Sequence, residues 1–298
     1  MQNTISRRQA LVGAFASATG LAAAAAAPAT IETHVHLFDP ARVPYAPDAP
    51  YRPPAYTLEE HTKFVEAAGL AHSIIVHPEP YQDDHRYLEY CFAHEPRPGY
   101  FKGTCLYDPF REDTPRRVRS LTGRWPGRIV AMRIHEMSMT PEASGPIRNR
   151  DMKDPRMPAC WRALARMGLA IQMHFIPAQA PNIYALAAQF PDTTVILDHM
   201  GRPGQGTEQE YEGVLKLAKL PRVILKYSSW ASYTGDLGQL TRRIFGAFGA
   251  DRMVWGTLGN TPAEYRKQSA RFEELLAFAS EADRAKIRGG NAQRLFFG

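Results

Sequence analysis

A chain of 298 residues with 36 Lys and Arg against 30 Asp and Glu, a formal charge of +6, is only mildly basic. It contains no Lys/Arg run that would make a nucleic-acid surface. A hydrophobic fraction of 44% supports a sizeable core, and no run of 18 or more strongly apolar residues is present to span a bilayer.

The first 28 residues stand apart. Arg7 and Arg8 precede a weakly apolar Ala/Gly-rich run ending in small residues at Ala27, the order of a secretory signal. The arginine pair followed by Leu11 resembles the twin-arginine type, which carries folded proteins across the bacterial inner membrane. Residues 1–28 are thus expected to be an export signal and 29–298 one periplasmic unit. Loss of the two arginines lowers the charge to +4, a mild surplus with a preference for small anionic substrates. Cys91, Cys105 and Cys160 lack C-x-x-C spacing and read as buried thiols, not a disulfide frame or zinc knuckle.

From residue 30 a short apolar strand, a polar turn and a helical pattern repeat. The strands are read at 30–38, 71–77, 100–106, 128–135, 169–175, 193–199, 222–228 and 252–257. Helical patterns such as "LEEHTKFVEAAG", "ACWRALARMG", "NIYALAAQF", "YEGVLKLAKL" and "RFEELLAFASEA" lie between them, several stopped by Gly69, Gly168, Pro191 or Pro221. Eight such units without a linker-like break predict a single α/β (β/α)8 barrel. A doubly wound sheet would need a Gly-rich phosphate turn after its first strand, and "HVHLFDPARVP" has no glycine. The two long connections, 38–56 and 136–153, fall on the carboxyl-end face, where substrate-covering loops belong.

The histidines concentrate at strand ends. His34 and His36 share a face of strand 1, His174 lies near the end of strand 5 and His199 ends strand 6. Neutral imidazoles clustered away from water are most simply explained by a divalent cation. Arg133 and His135 share a face of strand 4, while of Lys226 and Tyr227 only one faces inward, and the pattern does not say which. His77, Tyr81 and Asp84 follow strand 2, either reaching the pocket mouth or, for Asp84, capping a helix. Tyr45, Tyr51 and Tyr56 sit in a stiff Pro-rich loop, either a lid over a ring-shaped ligand or a contact in a homo-oligomer.

"IETHVHLFDP", "ILDHMGRP", "VILKYSS", "MVWGT" and "GGNAQRLFFG" together resemble the amidohydrolase superfamily. The resemblance is to the branch of sugar-acid and 2-pyrone-4,6-dicarboxylate lactonases, and it implies a distorted (β/α)8 barrel. By this resemblance His34, His36, His174 and His199 match the metal-ligand positions, with zinc the commonest ion. In some relatives the same positions hold substrate without metal. The resemblance also matches Arg133 to a pocket arginine that meets a substrate carboxylate; Arg202 either does the same or anchors its turn.

Two positions depart from the family pattern. Glu32 stands where relatives usually carry aspartate, and is read as structural, near the barrel floor. On strand 8 the family motif carries an aspartate that holds the water and acts as base, and this chain has Leu258. Such a loss typically removes about 2–5 kcal/mol of transition-state stabilisation. Three readings follow: a lactone hydrolase in which Glu136, His174 or His199 takes the proton, a metal-free lactone isomerase, or an inactive exported binder of an organic acid. Asp198 is set aside as base because it alternates with His199 and is expected to point out of the barrel.

Overall fold

A computed structural model describes residues 29–136, 151–230, 233–256 and 259–298. The proposed export signal, most of the 136–153 connection and Leu258 lie outside the described residues, as does the side chain of Glu136. Eight strands run β1 Ile31–Val35, β2 His72–Val76, β3 Phe101–Leu106, β4 Ile129–Glu136, β5 Ala170–Phe175, β6 Val195–Leu197, β7 Val223–Tyr227 and β8 Met253–Trp255. Each pairs in parallel with the next in chain order, as a (β/α)8 barrel requires. Thr33 Oγ1 donates to the Trp255 carbonyl at 2.6 Å, tying β8 back to β1.

Helices α1 Leu58–Ala68, α2 Arg86–Ala93, α3 Thr114–Arg124, α4 Met157–Arg166, α5 Ala180–Ala187, α6 Glu208–Lys216, α7 Leu237–Phe248 and α8 Pro262–Leu275 cover the strands. Capping boxes start α1 at Thr57 and α6 at Thr207, and Gly69 ends α1 at φ 66°. The sequence pattern misses the first nine residues of α8. Their exposed face shows no clear apolar stripe, and the start is set instead by the Thr261 cap and Pro262.

The barrel interior is layered. Ile31, Ile74, Ile196, Ile224 and Val254 make an apolar floor, sealed below by Ala292 and Phe296 of the carboxyl-terminal segment. Fully burying each aliphatic side chain contributes about 1.5–3 kcal/mol. Above the floor the interior turns polar: Arg133, Gln172, Asp198 and Lys226 are all buried. The histidines lie above that, at the carboxyl ends of the strands. The three cysteines are free and buried between sheet and helices. Among the described residues no helix is long and apolar enough to cross a membrane.

Candidate active site

Strand 1 supplies its two histidines through a register shift between Glu32 and Val35. Glu32 bends back to accept the His34 backbone N–H at 2.9 Å, the structural role expected of it. Gly256 lets β8 approach here, since a Cβ would lie 3.0 Å from His34 Cβ and 3.1 Å from Glu32 Oε1.

The imidazoles form a row. Ring centroids are 4.9 Å apart for His36–His34, 4.4 Å for His34–His199 and 5.4 Å for His199–His174. His135 continues it, 4.8 Å from His174. Burial lowers the His36 pKa to about 4 and that of His199 to about 3, and holds His34 and His174 well below the usual range, so all four are neutral at pH 7.

Asp198 corrects the sequence reading. It does not point out of the barrel: it is fully buried inside, accepting from Arg133 Nε at 2.8 Å and Gln172 Nε2 at 2.9 and 3.0 Å, with Lys226 Nζ 3.6 Å away. Strand alternation fails because His199 and Met200 follow it with φ of 53° and 57°, a left-handed kink that brings Asp198 and His199 to the same cavity. Burial alone would raise the Asp198 carboxyl, but Arg133, Lys226 and His34 outweigh it and hold it well below the usual carboxylate range. A permanent anion so engaged is an electrostatic anchor, not a base.

Arg133 lies deeper than the substrate role expected of it: it is 2% exposed, its Nε donates to Asp198 at 2.8 Å and its Nη1 lies 4.0 Å from Glu79 Oε1. Of the undecided strand 7 pair, Lys226 faces inward, donating to the Thr33 carbonyl at 2.8 Å, while the Tyr227 hydroxyl pairs with Thr241 of α7. His77 and Tyr81 do not reach the mouth. His77 Nε2 meets the Gln82 carbonyl and its ring stacks on His85 at 4.2 Å, while the Tyr81 hydroxyl accepts the Asp39 N–H at 2.7 Å. Asp84 accepts the Arg86 N–H at the start of α2, the capping alternative. Of the two roles considered for Arg202 the contacts show the turn anchor, Nε donating to Gln205 Oε1 at 2.9 Å, while Nη1 donates to His174 Nε2 at 2.9 Å.

Glu79 is the residue the sequence reading missed. It sits in a single helical turn after β2, where neither periodicity marks it. Its Oε1 lies 3.0 Å from His135 Nδ1, and Tyr51 of the Pro-rich loop donates to Oε2 at 2.6 Å. Burial would raise this carboxyl, but His135, Arg133 and Tyr51 keep it ionised. His135 Nδ1 also faces His174 Nδ1 at 3.3 Å, so Glu79, His135, His174 and Arg202 form one continuous chain.

The strand 1 pair fits a divalent ion. His36 Nδ1 donates to the Val76 carbonyl at 2.7 Å, which leaves its Nε2 a lone pair, 3.3 Å from His34 Nε2. His34 Nδ1 has two partners, Asp198 Oδ1 at 3.5 Å and Lys226 Nζ at 3.4 Å. When it donates to Asp198, two lone pairs converge at the spacing of two ligands on a tetrahedral zinc, about 3.4 Å for Zn–N bonds near 2.05 Å. When it accepts from Lys226, His34 Nε2–H bonds to His36 and no cation is needed. His34 and His199 also converge with Asp198, and His174 with Glu79 and His135, as groups of metal-capable donors.

The amidohydrolase family model matches residues 31–298. Two curated relatives are 4-sulfomuconolactone hydrolases. That of Rhizobium radiobacter is 26% identical over 236 residues, 76% of this chain and 74% of the relative. That of Hydrogenophaga intermedia is 24% identical over 294 residues, 90% and 89% of the two chains. Among solved structures, a protein assigned as a 2-pyrone-4,6-dicarboxylic acid hydrolase from Pseudomonas putida superposes with TM-score 0.71 at 20% identity, covering 90% of this chain and 97% of its own. A Burkholderia multivorans structure with bound zinc gives TM-score 0.71 at 18% identity, covering 90% and 99%. At these identities the structural likeness speaks for the fold.

Proposed function

The chain belongs to the amidohydrolase family, and from that membership we propose that it hydrolyses a lactone, the cyclic ester of a small anionic organic acid. The observation that carries this is the row of neutral imidazoles from His36 to His174, ending on Arg202, whose guanidinium forms no ion pair with a carboxylate among the described residues. The curated relatives, both named for lactone hydrolysis, support the substrate class.

His34 and His36 would hold a divalent ion through Nε2, with His199 beside them. When bound, such an ion polarises the ester carbonyl and acidifies water. The chain's own groups supply the rest. A substrate carboxylate or sulfonate draws Arg202 to itself by charge-assisted hydrogen bonds, releasing the His174 Nε2 lone pair. Water attacks the ester carbon and its proton goes to His174 Nε2. The positive charge so formed on the His174–His135 pair is stabilised by the Glu79 carboxylate, 3.0 Å from His135 Nδ1. On cleavage of the ring C–O bond, the departing oxygen takes the proton back. This relay supplies what Leu258 lacks.

We also propose that residues 1–28 direct export to the periplasm by the twin-arginine route. Amino-terminal sequencing of the periplasmic protein tests this, and an intact Met1 in the cytoplasm refutes it. The enzymatic proposal is tested with a panel of anionic lactones, assayed after chelation and with one equivalent of zinc or manganese. Ring opening with retained stereochemistry at carbon supports it; no turnover with micromolar binding of an acid overturns it in favour of a binder.

A further inference from the structure

Beside His36 a cavity of about 340 Å³ opens, walled by His36, Phe38, Pro53, Pro54, Tyr56 and Asn260. That volume accommodates a six-membered ring or a short alkyl chain. Among the described residues the wall offers two side-chain polar groups, the Asn260 amide at its rim and His36 Nε2, and its other side chains are apolar or already engaged. Phe38 and Tyr56 spend their backbone groups on each other at 2.8 and 2.9 Å, the Tyr56 hydroxyl pairs with His61 Nδ1 at 3.0 Å, and His36 Nδ1 is held by Val76. The slot is stiff as well: its prolines are fixed in φ, and Tyr45 donates to the Pro53 carbonyl at 2.9 Å. From this slot the imidazole row leads across the barrel mouth to Arg202.

We propose that the slot receives an apolar ring or alkyl substituent of the substrate, so that the chain selects lactones that are apolar on one side of the scissile ester and anionic on the other. Polyhydroxylated sugar-acid lactones are disfavoured, since most of their hydroxyls would leave water for a wall of Phe38, Pro53, Pro54 and the Tyr56 ring that replaces few of those hydrogen bonds. The inference rests on the lactonase reading for the placement of the ester, but its test does not depend on turnover.

Calorimetric titration of the full chain with phenylacetate and with gluconate compares an apolar and a polyhydroxylated acid of single charge. Phenylacetate is expected to bind at least about tenfold more tightly. Ala55, exposed at the rim of the slot, offers a variant that fills it from outside: Ala55→Trp is expected to weaken phenylacetate about tenfold with its unfolding midpoint unchanged. Asn260→Trp fills the slot from the opposite wall should the first variant fold poorly. Gluconate binding as tightly as phenylacetate, phenylacetate failing to bind, or filled variants that bind it unchanged overturn the inference. The expected acid preference without any lactone turnover leaves the slot standing and removes the hydrolase reading.

Discussion

Replacing Asp198 by Asn removes one negative charge from a place where two buried cations meet. Arg133 Nε at 2.8 Å and Lys226 Nζ at 3.6 Å both face this carboxylate, and neither side chain is more than 2% exposed. Deleting one partner of a buried ion pair costs about 3–5 kcal/mol, because the remaining charge stays desolvated without compensation. For a chain of this size each kcal/mol lowers the melting temperature by about 2–4 °C, so Asp198→Asn is expected to melt about 6–20 °C lower. Urea unfolding followed by circular dichroism checks the free energy, with an unchanged slope showing that the transition remains comparable. The second arm is Asp198→Asn with Lys226→Met, which removes one of the stranded charges and should recover part of the loss. The pH dependence has a definite sign: the folded pKa of Asp198 is depressed, so its contribution is full above the unfolded value near 3.9 and is lost as pH falls towards the folded value. A loss below about 1 kcal/mol, or a double variant no more stable than the single one, would refute the view that this carboxylate holds the centre of the barrel together.

Lys226 yields a second pH dependence of the same sign, in the alkaline range. Burial lowers its pKa to about 8, so the unfolded chain binds more protons between pH 8 and 10.4 and stability should rise by about 3 kcal/mol across that window, a rise absent in Lys226→Met; denaturation at pH 8 and 10 measures it. Glu79→Gln should lower kcat about 10–100-fold with KM nearly unchanged and alter the pH–rate profile, since it removes the acceptor behind His135; an unchanged kcat removes the relay. His36→Ala should abolish zinc binding in a dialysis and metal-analysis experiment, and retention of one equivalent would move the ion to another donor set. Gly289→Ala should destabilise by more than about 3 kcal/mol, because the added Cβ would lie 1.7 Å from the Ala29 carbonyl oxygen, and thermal melting decides it.

The barrel could be read from the sequence because parallel strands buried on both faces appear as short apolar runs at regular intervals; seven of the eight strands lie within the expected spans, and β4 runs one residue past its own, to Glu136. H-x-H stood out because its two imidazoles keep the strand period. Asp198 was misread for the same reason: the period of two holds only while the backbone stays extended, and the left-handed turn at His199 breaks it without a glycine to announce the turn. Glu79 carried no signal, lying between prolines in one helical turn whose only local pattern is the turn itself. Arg133 was given a substrate because its partners, Asp198 and Glu79, come from the turns that follow strands 6 and 2 and meet it only once the sheet closes.

The apolar floor has a consequence for when this chain becomes a finished object. Its lowest layer is completed by Ala292 and Phe296, while Asn291 clamps the Ala250 and Met253 carbonyls at 2.7 and 2.8 Å and Phe297 stacks on His72 at 4.2 Å. During synthesis, therefore, the ring of strands has no plug until these late residues emerge, and its base stays open to water. The floor of the ring and the imidazole row at its opposite rim belong to one closed barrel only with the carboxyl-terminal segment docked.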